Sequence, residues 1–70
     1  MEELFDDIMT GDALVKDILN TDGVSSIRDD KGKSYWWDTI DKTKTYRVRK
    51  YEYDRALQDY PVISYNIKEV

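Results

Sequence analysis

The apolar residues of this chain change their spacing at Gly23, and that switch constrains the fold more than any other feature. Before it, Leu4, Phe5, Ile8 and Met9, then Leu14, Val15, Ile18 and Leu19, recur at the three- and four-residue intervals of an amphipathic helix. After it, apolar and polar residues alternate at a period near two, interrupted by short runs of turn residues. A helical layer followed by strands predicts an α+β fold, with an N-terminal helix packed on one face of a small antiparallel sheet of three to four strands. No linker divides the 70 residues, so residues 1–70 are expected to form one small domain.

The helical region carries an echo: LFDDIM at residues 4–9 returns as LVKDIL at residues 14–19. In one straight helix the two apolar stripes diverge by about 80°. This predicts a break at Thr10-Gly11, giving a kinked helix pair whose second segment is capped by Asp12 and ends near Asn20-Thr21-Asp22-Gly23. A single curved helix is the alternative.

Four strands are expected in VSSIRD, SYWWDTI, TYRVRKYEY and VISYNIKEV, the first three as an antiparallel meander. DRALQDY reads as one helical turn closed by Pro61. The expected inward set is Ile27, one of Trp36 and Trp37, Ile40, Val48, Ile63, Tyr65 and Ile67, covered by the N-terminal apolar stripe. Adjacent tryptophans on a strand point to opposite faces, so only one of the pair can enter that core.

Catalytic equipment is sparse. The chain has no cysteine and no histidine, which removes the thiolate nucleophile, the usual general base and the commonest transition-metal ligands. Three isolated glycines make neither a Walker loop nor a dinucleotide-binding turn. The DDKG segment at 29–32 fails as a calcium loop, because its acids do not alternate and the twelfth position from Asp29 is Ile40 rather than glutamate. A non-enzymatic protein with no cofactor and no metal is expected. Without a membrane-spanning apolar run or a signal-like N-terminus, the expected location is the cytoplasm.

Charge is distributed unevenly. The net value is −4, yet residues 1–30 alone sum to −7 and residues 31–55 to +4. Glu2 with Asp6 and Glu3 with Asp7 are like-charge pairs at i,i+4, which weaken an isolated helix. The helix dipole accounts for acids in a first turn but not for Asp6, Asp7, Asp17, Asp22, Asp29 and Asp30. On a helix an i,i+4 carboxylate pair is about 6 Å apart, close to the roughly 7 Å between successive phosphates of a DNA strand. Glu2, Glu3, Asp6, Asp7, Asp17, Asp29 and Asp30 are thus the candidate protein-binding residues, with Trp36 and Trp37 as aromatic anchors.

A second candidate surface lies in KTKTYRVRKYEYDR, where alternation puts Arg47, Arg49, Tyr51 and Tyr53 on one face. Guanidinium groups interleaved with aromatic rings suit single-stranded nucleic acid. The same pattern suits an outer sheet face with cross-strand charge pairs to acids such as Asp38. A third alternative is a homodimer paired through VISYNIKEV, if that strand ends the sheet uncovered.

In size and composition, as a short acidic chain rich in Asp, Lys, Tyr and Ile and lacking cysteine and histidine, the sequence resembles the small host-takeover proteins of bacteriophages, some of which are DNA mimics. The resemblance implies an inhibitor that binds a basic host DNA-binding protein, such as a histone-like nucleoid protein, in the host cytoplasm and in competition with nucleic acid. It assigns no residue a role.

Overall fold

In the computed structural model, which describes residues 1–53 and 62–70, the two halves of the N-terminal helical pattern adopt different structures. Glu2–Thr10 is a strand, β1, and Gly11–Leu19 is the helix α1. The remaining strands are β2 (Val24–Asp29), β3 (Thr45–Glu52) and β4 (Ile63–Glu69). Among the described residues the fold is α+β, with one short helix near the N-terminus packed on a four-stranded sheet of order β1-β3-β4-β2. The expected helical turn in DRALQDY lies outside the described residues.

The break predicted at Thr10-Gly11 is present, but Thr10 rather than Asp12 caps the helix. The Thr10 hydroxyl accepts the Ala13 N–H at 3.2 Å, satisfying one of the orphan donors of the first turn. Asp12 instead forms an exposed i,i+4 ion pair with Lys16 at 3.2 Å. At the other end the N–H groups of Asn20 and Thr21 close on the last carbonyls, and Gly23 turns the chain into β2 at φ 81°. That left-handed conformation suits a residue without Cβ.

β1 pairs antiparallel with β3 from Glu2↔Glu52 to Thr10↔Thr45, with a register shift between Glu3 and Phe5. β3 pairs antiparallel with β4, and β4 pairs parallel with β2. The expected meander is therefore replaced by a mixed sheet in which β1-α1-β2 is a split crossover, with β3 and β4 inserted between its strands. VISYNIKEV accordingly supplies an interior strand, which removes the premise of a homodimer through its edge.

The segment SYWWDTI, expected as a strand, contributes a single bridge, Ser34 to Arg28, and then leaves the sheet. A turn holds Trp36 to Thr39, whose hydroxyl accepts the Trp36 N–H at 2.8 Å and donates to the Trp36 carbonyl at 2.9 Å. Further on, Ile40 enters the core and the backbone reaches α1: the Gly11 N–H donates to the Lys44 carbonyl at 2.8 Å. A Cβ on Gly11 would stand 2.1 Å from the Asp41 carbonyl oxygen, so only glycine permits that approach.

The core lies between α1 and one face of the sheet. Leu14, Val15 and Ile18 come from the helix, Ile27 from β2, Ile40 from the crossing segment, Tyr46 and Val48 from β3, and Ile63, Tyr65 and Ile67 from β4. Phe5 and Met9 of β1 pack at its margin. All the aliphatic members of the expected inward set are buried, and so is Tyr65. Neither tryptophan is: Trp36 is 57% and Trp37 47% exposed, because the segment that carries them turns away instead of pairing.

Candidate functional site

Register sorts the charged side chains onto two faces. In β3, Tyr46, Val48 and Lys50 point to the helix side, and Arg47, Arg49 and Tyr51 to the other. No described element covers that second face. Paired residues share a side, so Asp6 and Ile8 lie beside Arg49 and Arg47, and Glu3 beside Tyr51. Asn66 and Lys68 of β4 and Arg28 of β2 complete the open face.

Arg47 and Arg49 are already engaged there. Arg47 grips Asp6 bidentately, Nη2 to Oδ2 at 2.6 Å and Nε to Oδ1 at 3.0 Å. The hydrogen bond from Arg47, helped by the charges of Arg47 and Arg49, holds the Asp6 carboxyl below the usual carboxylate range. Arg49 Nε stands 3.7 Å from Glu3 and 3.9 Å from Asp6, and its guanidinium lies 5.4 Å from the centre of the Tyr51 ring. The cross-strand charge pairs thus run to β1 rather than to Asp38. Tyr53 falls beyond the end of β3, exposed. Arg28 and Lys68, which make no ion pair among the described residues, are the cations that a reading confined to residues 44–55 overlooks. Their signal was alternation, since each follows a core isoleucine, Ile27 and Ile67.

The candidate carboxylates are dispersed. Glu2, Glu3, Asp6 and Asp7 lie on β1, where residues four apart are separated by about 13 Å rather than the helical 6 Å. This overturns the phosphate-spacing argument. Asp17 belongs to the opposite, helix-covered face. It accepts from Lys50 Nζ at 3.0 Å and from the Tyr65 hydroxyl, while Thr21 Oγ1 takes a second bond from Lys50 at 2.8 Å. Burial, with the carboxylate beside it, pushes the Tyr65 hydroxyl pKa well above its ordinary value. Lys50 Nζ also sits 5.4 Å and 5.5 Å from the ring centres of Tyr65 and Phe5. This cluster ties the end of α1 to β3 and β4.

Asp29 organises a turn. Its Oδ1 accepts the N–H groups of Lys31 and Lys33, both at 2.9 Å, and its Oδ2 the Tyr35 hydroxyl at 3.2 Å. Burial raises the Asp29 pKa, but these donors outweigh it and hold the carboxyl below its ordinary value. A depression of about 450 Å³ beside this turn includes Lys33, Lys44, Tyr46 and Glu69 in its wall. Two of its charges, Lys44 and Glu69, pair with each other at 3.2 Å. Asp30, Trp36 and Trp37 lie on the same crossing segment and share no strand with the acids of β1. Among the described residues, no three of His, Cys, Asp and Glu gather as metal ligands would, and no helix is long and apolar enough to cross a membrane.

The two edges of the sheet differ. The outer side of β2 is covered near its end: the Asp29 N–H donates to the Lys33 carbonyl at 3.0 Å, and the Tyr35 N–H to the Ile27 carbonyl at 2.7 Å. The outer side of β1 meets no backbone partner among the described residues. Along it stand Glu2 and Asp7, which make no ion pair with a described residue, and the exposed aliphatics Leu4 and Ile8, 43% and 59% accessible. No family model, curated protein or solved structure matches the chain.

Proposed function

We propose that this protein is a non-enzymatic interaction module that binds a basic protein partner through the β1 side of its sheet. The observation that carries this reading is the exposure, on one strand, of Glu2 and Asp7 beside Leu4 and Ile8. Carboxylates repel nucleic acid and anionic lipid but attract Lys and Arg, while exposed aliphatic side chains add area that a protein partner removes from water. A cationic protein surface that accepts these groups is of the kind that meets phosphates. The partner class that follows is a DNA-binding protein, and nucleic acid competes for it. The single-stranded nucleic-acid reading is less well supported, because Asp6 and Glu3 take up much of the charge of Arg47 and Arg49.

The test is a titration of the labelled protein with a histone-like nucleoid protein at low and high salt, with duplex DNA as competitor. Binding that weakens steeply with salt, yields to DNA and is reduced in a Glu2→Gln/Asp7→Asn double variant is the expected result. Absence of binding at low salt, or an affinity unchanged in the double variant, rejects it.

A further inference from the structure

β1 is nine residues long and spans roughly 30 Å. In an antiparallel pair, alternate residues direct their N–H and C=O groups away from the partner strand, so an uncovered edge presents a row of unpaired donors and acceptors. Folded proteins shorten such edges, cover them or place proline and lysine on them. Here β2 is covered by residues 33–35, whereas β1 is long, lacks proline and lysine, and is regular from Phe5 to Thr10.

We infer that β1 accepts an extended basic segment of another protein as a fifth strand. The inference rests on the reading above that the partner is a basic protein, and adds the mode of attachment. Alternation defines the segment. Opposite the open face it meets Asp6 and Ile8, and opposite the helix side Phe5, Asp7 and Met9. A strand that places Lys or Arg beside Asp7, which meets no described cation, and an aliphatic residue beside Ile8 satisfies backbone and side chains together. A second copy of this chain is a poor occupant. Antiparallel pairing of β1 with itself brings eight carboxylates, Glu2, Glu3, Asp6 and Asp7 from each copy, into one ribbon.

The test uses the full chain and two end-blocked peptides of the length of β1, both alternating Lys with Val. One carries N-methyl groups on two adjacent central amides, so that neither of its edges can pair while its charge is unchanged. The unmodified peptide is expected to slow hydrogen exchange at alternate β1 amides between Phe5 and Thr10, and the methylated one to bind about tenfold more weakly, as loss of one or two backbone hydrogen bonds implies. Equal, salt-sensitive affinity for both peptides overturns strand addition while leaving the basic-partner reading in place. Absence of binding by either peptide at low salt overturns both. Protection of β1 amides in the free protein, together with a dimeric mass, also overturns the inference, since a second copy then occupies the edge.

Discussion

Residues 4–9 and 14–19 carry nearly the same string, LFDDIM and LVKDIL, yet the first is an edge strand and the second a helix with one face buried. In the helix, Leu14, Val15 and Ile18 all reach the core and Asp17 finds Lys50 and Tyr65. In the strand, only Phe5 and Met9 turn inward, while Leu4 and Ile8 stay exposed and Asp7 meets no described cation. A three-to-four-residue apolar spacing is compatible with both structures when the window is six residues long. What separates them is charge and partner. A helix through residues 2–7 would hold Glu2 with Asp6 and Glu3 with Asp7 at repulsive spacing, whereas pairing with β3 sets Asp6 and Glu3 against Arg47 and Arg49.

Matched substitutions break this comparison at its strongest point first. Leu14→Ala empties a site with no solvent exposure and is expected to cost about 2–5 kcal/mol by urea unfolding. Leu4→Ala, at the equivalent place in the strand, should change stability by no more than about 0.5 kcal/mol. Equal effects would mean that β1 is as firmly packed as α1.

The aspartates give the next contrast. Asp17→Ala removes the carboxylate that Lys50 and the Tyr65 hydroxyl share and leaves them only Thr21 Oγ1, for an expected loss of about 1–3 kcal/mol. Asp7→Ala removes an exposed carboxylate and should leave the unfolding midpoint in place.

Thr10 stands at the junction, so Thr10→Ala should lower stability by about 1 kcal/mol through loss of the cap. Thr10→Ser, which keeps the acceptor, should recover most of that in the same assay.

The smallest effect is electrostatic. Arg47 lowers the Asp6 pKa in the folded chain, so the pair contributes stability above the ordinary carboxylate pKa, and that contribution fades as pH falls through the lowered folded value. The unfolding midpoint of Asp6→Asn should therefore depend less on pH across the carboxylate range than that of the parent, and high salt should narrow the difference.

Much of the sheet was legible because burial imposes a period. TYRVRKYEY and VISYNIKEV alternate, VSSIRD is rich in strand formers and bounded by turn residues, and each is a strand with its predicted isoleucines, Val48 and Tyr65 inside. SYWWDTI carried strong strand formers but no sustained alternation, and its two tryptophans are exposed in a turn. The candidate site was less legible. Arg47, Arg49 and Tyr51 do share a face, but the pairing of Asp6 with Arg47 spans 41 residues, and no local pattern announces it. The acids fared worst, since their significance depended on whether their backbone was helical or extended.

The sequence by itself determined an α+β layer arrangement, the break before Gly11, the isoleucine-rich core and the excess of carboxylates at the N-terminus. Each of these follows from local spacing, composition or a turn residue. Only the tertiary structure decided that β1 is a strand, that it lies at an edge, that β2 joins β4 in parallel, and which carboxylates are neutralised within the fold. Strand pairing draws its hydrogen bonds and charge partners from distant segments, so the same six-residue pattern can be a helix where a core covers it and a strand where β3 offers an edge.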